Sequence, residues 1–292
     1  MPEFRHSSLG LLGFAVALGA AACSTPAAPS GLLTTQQAAL LSSGVALDVE
    51  ANISDATATG GTAVYTDASP VGNISGSSPA PCTPTRSPAS PADGDADGVP
   101  DSVRFTLDGC VLNYPAESDT LRGTIDILDP TLTTLDNAVK RIFTSVVRAR
   151  LRSGKLSYET QNGTRMTTRD ATTLTHTETN FSTAYVFPDL SAASHLRSWT
   201  STFTADVASS IMANQTLPSG NWTVSGTSSW TLGANTYTLS VSTPVALHYN
   251  ASCTATPRFD AGTLTVVVTL GSQTSTVTIR FTACGAFSAT KT

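Results

Sequence analysis

Charge is scarce in this chain: 13% of its 292 residues are charged, and the net charge is −5. No dense block of Lys and Arg occurs, which argues against nucleic acid as a partner, because phosphate contact needs clustered cations. No apolar run reaches the roughly 20 residues that a membrane-spanning helix requires. Motifs that announce chemistry are missing as well. There is no Gly-x-Ser-x-Gly elbow, no His-Glu-x-x-His zinc helix and no phosphate-binding Gly-Lys-Ser/Thr loop. His176, His195 and His248 stand isolated, each in a strand-like context. Carboxylates are too sparse to nominate a glycosidase pair. No catalytic residue is therefore nominated, although catalytic triads assemble in space rather than in sequence.

What is present begins with an address. Arg5 and His6 sit in a short polar lead, followed by the uncharged run Leu9 to Ala22. That length suits a signal peptide over residues 1–22, with small residues at its processing site. Residues 23–33, rich in Pro, Ala and Ser, suit a flexible tether. The junction Ala20-Ala21-Ala22-Cys23 resembles the lipobox of bacterial lipoproteins, with Ala20 where that family usually has leucine. The resemblance implies a lipid on Cys23, export, and a membrane partner reached through that anchor. Ser24 in place of an aspartate after the cysteine points to an outer membrane. The plainer alternative is an ordinary signal peptide cut at the same run.

With Cys23 given to lipid, Cys82, Cys110, Cys253 and Cys284 remain, an even set in an oxidising compartment. Local pairs are expected, Cys82 with Cys110 and Cys253 with Cys284. A zinc site is the weaker idea, since no Cys-x-x-Cys spacing or His pair accompanies them.

A single β-rich domain is expected over residues 34–292. Thr34 and Gln37 form a capping box, and Leu40, Leu41, Val45 and Leu47 follow at helical spacing, predicting a helix over 34–50. Residues 68–102, rich in Pro, Ser, Gly and Asp, read as a loop. From Val103 onward the alternation is that of strands. His195, Arg197, Trp199, Ser201, Phe203, Ala205 and Val207 share one face, and Leu264, Val266, Val268 and Leu270 another. Gly233-Ala234-Asn235 and Gly271-Ser272-Gln273 mark hairpin turns. Without helix-length crossovers the predicted fold is mainly β, an antiparallel meander forming a sandwich or a curved, half-open barrel with one short N-terminal helix.

The sharpest motif is Asp93-Gly94-Asp95-Ala96-Asp97-Gly98-Val99-Pro100-Asp101. Calcium wants six to eight oxygens, and alternate residues of a tight loop aim theirs at one centre. The stretch resembles thrombospondin type 3 and EF-hand-type calcium loops, with Arg104 where an EF-hand has its bidentate glutamate. The resemblance implies a structural calcium held by Asp93, Asp95, Asp97 and Asp101 at modest affinity, about 10⁻⁴ to 10⁻³ M. The plainer alternative is an Asp-Gly turn that binds nothing. Arg148, Arg150 and Arg152 share a strand face. They suit either anionic headgroups and glycans or cross-strand pairing to acids such as Asp126 or Glu159. Trp199, Trp222 and Trp230, with Phe203 and Tyr237, suit a core better than a ligand face.

The expected function is a non-catalytic envelope lipoprotein that acts as a binding or structural module. A carrier of lipid or hydrophobic ligand is the alternative, and a hydrolase with an unrecognised site is a third.

Overall fold

A computed structural model describes residues 32–57, 84–114, 117–134, 138–170, 172–208, 217–232 and 234–292. The signal region, Cys23 and Cys82 lie outside these residues, as does the side chain of Cys110. Among these residues one helix, α1 (Thr35–Thr57), precedes the strands β1 (Thr85–Ser87), β2 (Ser102–Tyr114), β3 (Glu117–Leu128), β4 (Val139–Arg152), β5 (Lys155–Arg169) and β6 (Thr173–Val186). They continue as β7 (Ala192–Ala205), β8 (Gly220–Leu232), β9 (Asn235–Tyr249), β10 (Phe259–Leu270), β11 (Gln273–Ala283) and β12 (Ala286–Lys291). All twelve belong to one sheet in sequence order, antiparallel throughout, with β1 and β12 as its edges. The mainly β, antiparallel meander is thus the observed class, as one open sheet rather than two stacked ones.

The sheet curls. Helix α1 packs against β6 as well as β11 and β12. Six steps of about 4.8 Å would put β6 some 29 Å from β12 in a flat sheet, and a helix is only about 10–12 Å across. Glycines opposite bulges supply the bend. In β6, Asn180 takes φ 47° at a break in register, and Gly163 of β5 faces it with φ 124°. A Cβ on Gly163 would lie 2.6 Å from the Asn180 carbonyl oxygen. Gly226 of β8, paired with Trp199 in an unbroken register, is tighter still: a Cβ there would come within 2.2 Å of Ser198 O.

Thr34 caps α1 as the sequence predicts: Gln37 N–H donates to Thr34 Oγ1 at 3.2 Å and Thr34 N–H to Gln37 Oε1 at 2.8 Å. The helix runs on to Thr57, past the predicted end at residue 50, because Val49, Asn52 and Ile53 continue the buried face begun by Ala38, Leu41, Val45 and Ala46. Asp48 and Glu50 hide this continuation in the sequence, since both are charged yet turn toward the sheet. Of the expected loop at 68–102, residues 68–83 lie outside the described residues, and the remainder contains the short strand β1 paired to β2.

Two hydrophobic clusters line the inner face. The larger joins α1 to β6–β12 through Trp199, Phe203, Trp222, Leu247, Phe259, Val266 and Ile279. The other spans β2 to β6 and includes Phe105, Ile125, Ile127, Phe143 and Phe181, with Val99 from the acidic loop inserted into it. Trp199, Trp222, Trp230 and Phe203 are core residues, and Tyr237 packs partly buried against them. Val207, placed by alternation on the inner face of β7, lies beyond the strand end and is 69% exposed.

Candidate functional site

The acidic loop closes on itself. Asp101 N–H donates to Ala92 O at 2.9 Å across its base. Its carboxylates bind successive amides: Gly98 N–H to Asp93 Oδ2 at 3.0 Å, Asp97 N–H to Asp95 Oδ1 at 3.2 Å, and Val99 N–H to Asp97 Oδ1 at 2.7 Å. Two residues of this loop take left-handed backbone: Gly98 at φ 93°, where glycine is at ease, and Ala96 at φ 60°, a conformation that alanine disfavours. The result brings one oxygen from each of Asp93, Asp95 and Asp97 within 4.8 Å of one another. Asp101 Oδ1 instead accepts the Gly94 amide at 2.8 Å. Asp95 Oδ2 is buried without a hydrogen-bond partner. Three converging carboxylates fit a hard divalent cation in donor type. Arg104, at the twelfth loop position, is committed elsewhere by a fork onto Asp126, with Nε–Oδ1 at 2.6 Å and Nη2–Oδ2 at 2.8 Å.

Asp129, 6% exposed, ties the loop to the end of β3: its N–H meets Pro100 O at 3.2 Å and Asp101 O at 3.3 Å. The C-terminal end of the loop is thus fastened twice, by Val99 in the core and by Asp129 at the sheet.

Cys253 and Cys284 form a disulfide with Cα atoms 5.7 Å apart. Arg148 and Arg150 of β4 turn out to face inward, while Arg152 at the strand end is exposed. Asp119 of β3, fully buried, binds Arg148 Nη2 and, at 3.2 Å, Arg150 Nε. Cross-strand pairing is therefore the right kind of contact for these two, but with Asp119; Asp126 is taken by Arg104, and Glu159 accepts Gln161 Nε2 at 2.8 Å.

The interior under α1 carries a second charged group. Glu178 lies between Arg165 Nε and Arg197 Nε, each at 3.0 Å, and Asp48 of the helix lies 3.8 Å from Arg197. Burial pushes Glu178 up, but Arg197 and Arg165 outweigh it and hold the carboxyl below its usual range. Asp48 goes the other way: burial raises it to about 7 against the pull of Arg197. Helix and sheet are further joined by Ser201 Oγ donating to Asn52 Oδ1 at 2.9 Å and Arg258 Nε to Glu50 Oε1 at 2.6 Å.

The three histidines have quite different surroundings. His176 shares a hydrogen bond with Thr167 Oγ1 at 2.9 Å. His195 stacks on Trp230 with ring centroids 4.1 Å apart, and burial together with Arg197 pushes it down to about 2. His248 is the one whose isolation in sequence misleads. Its Nδ1 lies 2.6 Å from Asp260 Oδ1 and its Nε2 3.0 Å from Asp206 Oδ2. Three different strand ends supply this trio, and only the sheet register brings them together. Hydrogen bonds that the ring donates to Asp206 and Asp260 raise His248 above its ordinary value. Both ring nitrogens are occupied by carboxylates, which leaves neither for a nucleophile; the trio is an ion-pair clasp rather than a catalytic relay.

No protein-family model, curated protein or solved structure matches this chain.

Proposed function

We propose that the chain is a non-catalytic envelope lipoprotein, held to a membrane through a lipid on Cys23 and serving as a binding or structural module. One observation carries the choice between module and carrier: the concave face from β6 to β12 is filled by α1. Leu33, Leu41, Val45, Ala46, Val49 and Ile53, all at most 5% exposed, occupy the space where a hydrophobic cargo would lie. A lipid carrier needs that face as an apolar cavity.

The acidic loop is proposed to hold a structural calcium through Asp93, Asp95 and Asp97, with Asp101 closing the turn. The ion would neutralise three carboxylates that otherwise repel one another beside the β2–β6 core. Native mass spectrometry of protein purified from its own host tests the functional reading. The expected result is one chain without a stoichiometric small apolar molecule. One lipid per chain, bound apart from the covalent anchor, overturns the reading in favour of a carrier. Mass spectrometry of the mature N-terminus tests the anchor: an unmodified N-terminus beyond Cys23 removes it.

A further inference from the structure

The hairpin turns that follow β4 and β6 lie at the same end of the sheet, side by side, because β5 pairs with β6. Leucines crowd this end. Leu151 and Leu156 stand directly opposite each other at the mouth of the β4–β5 turn, 44% and 42% exposed, and Tyr158 beside them is 41% exposed. All three point away from the inner face that holds Asp119, as alternation along the strands requires. Leu190, in the β6–β7 turn, is 83% exposed and takes φ 66°, in the left-handed region that bulky side chains avoid. Nothing loose sets this conformation. Leu190 N–H donates to Phe187 O at 2.9 Å, Phe187 N–H to Ser191 O at 2.9 Å, and Asp189 accepts both Ser191 N–H and Oγ. A rigid turn thus presents a leucine to the outside. Exposed Arg152 and Lys155 face each other across the neighbouring turn, on the opposite side of the hairpin from the leucines, with Glu117 of β3 in register with Arg152; within the two turns themselves the acid is Asp189.

The direction of α1 adds an independent argument. On β7, which starts at the tip end with Ala192, Arg197 precedes Ser201. Asp48 faces Arg197, and Asn52, further along the helix, bonds Ser201. The helix therefore runs away from the tips, and its N-terminal end is the one nearer to them. From Thr35 to Cys23 is twelve residues (35 − 23), which reach at most about 43 Å when extended.

We infer that this hairpin end rests in the interface of an anionic bilayer, with Leu190, Leu151, Leu156 and Tyr158 in the headgroup–acyl boundary and Arg152 and Lys155 among the phosphates. Apolar side chains flanked by cations are the chemistry of interfacial binding. The inference rests on the anchored-envelope reading, which places a membrane within reach of the tips. The contact would fix the orientation of a domain otherwise free to swing on its tether.

The test uses the oxidised protein, purified from host membranes and carried into vesicles of phosphatidylcholine with or without phosphatidylglycerol. An environment-sensitive dye is attached at Leu190→Cys or, in a second variant, at Leu151→Cys. Leu132→Cys, 53% exposed at the opposite end of the sheet, is the control. Lipid-borne quenchers should dim the dye at 190 and 151 at least twofold more than at 132. In phosphatidylglycerol vesicles Arg152→Glu with Lys155→Glu should remove most of that excess. Equal quenching at all three positions overturns the proposal, whatever mass spectrometry of the N-terminus in the same sample reveals about the anchor. Self-association through position 190 in solution overturns it too, in favour of a second copy on the same surface. Quenching indifferent to phosphatidylglycerol overturns the role of the cations.

Discussion

Asp48 on α1 and Arg197 on β7 face each other at 3.8 Å across the helix–sheet interface, and yet the carboxyl is shifted up, to about 7 from 3.8. Burial outweighs the attraction because Arg197 is also engaged by Glu178, whose own charge raises Asp48 further. Neutral in the fold but ionised in the unfolded chain between these two values, Asp48 contributes stability that is whole below about pH 3.8 and lost as pH rises past 7. Asp48→Asn should flatten this window and raise stability at pH 8, by on the order of 2–4 kcal/mol. Urea denaturation at pH 4, 6 and 8 reads it; parallel pH profiles for the two proteins would contradict the expectation.

His248 should titrate above 6.5, with Asp206 and then Asp260 as the cause. Its folded value is the raised one, so its contribution to stability is complete below about pH 6.5 and disappears as pH climbs through that folded value. In an NMR titration, Asp206→Asn should bring the imidazole midpoint down toward the ordinary value. A midpoint that does not move would show that the 3.0 Å contact exerts no hold on the proton.

Replacing Cys253 and Cys284 by serine releases a loop spanning 31 residues of sequence separation. The loss should be about 2–4 kcal/mol of stability, visible as a lowered melting temperature in oxidising buffer and no longer distinguishing the two proteins once the wild-type bond is reduced. Non-reducing peptide mapping should also join Cys82 to Cys110; a peptide linking either of them to Cys253 or Cys284 is the outcome against local pairing.

In calorimetry on oxidised protein with millimolar calcium, the wild-type chain should release or absorb heat and Asp95→Ala should not. Asp95 is the informative site because one of its oxygens is buried and unpartnered, whereas the other already holds Asp97 N–H. No heat with the wild-type protein removes calcium from the account and leaves an Asp-Gly turn.

Gly226→Ala should destabilise the sheet by roughly 2–4 kcal/mol, since its φ of 145° suits glycine and the added carbon meets backbone rather than a yielding side chain. Thermal unfolding monitored by tryptophan fluorescence reports it, with Trp199 in direct register with this glycine. A melting temperature within about 2 °C of wild type would mean that the bend tolerates a Cβ.

Much of the fold was legible because burial on one face of a strand writes itself as alternation. Trp199, Phe203, Val266 and Ile279 announce their strands, and Gly271 its turn, through neighbours in sequence. The capping of α1 by Thr34 and Gln37 is local in the same way. The acidic loop, too, is a local object: alternate residues of one short segment form it, so its three converging aspartates could be named beforehand. What sequence could not express is any relation between distant segments. His248 reads as solitary because Asp206 and Asp260 belong to other strand ends, and Arg148 reads as solvated because nothing nearby reveals that Asp119 is buried opposite it. The end of α1 was missed for the same reason: Asp48 and Glu50 look like solvent-facing residues until Arg197 and Arg258 are placed across from them. Periodicity determined which residues face inward. Only the curl of the sheet around α1, set by bulges and glycines whose partners lie on neighbouring strands, decided which inward-facing charges meet and whether the concave face is open or filled.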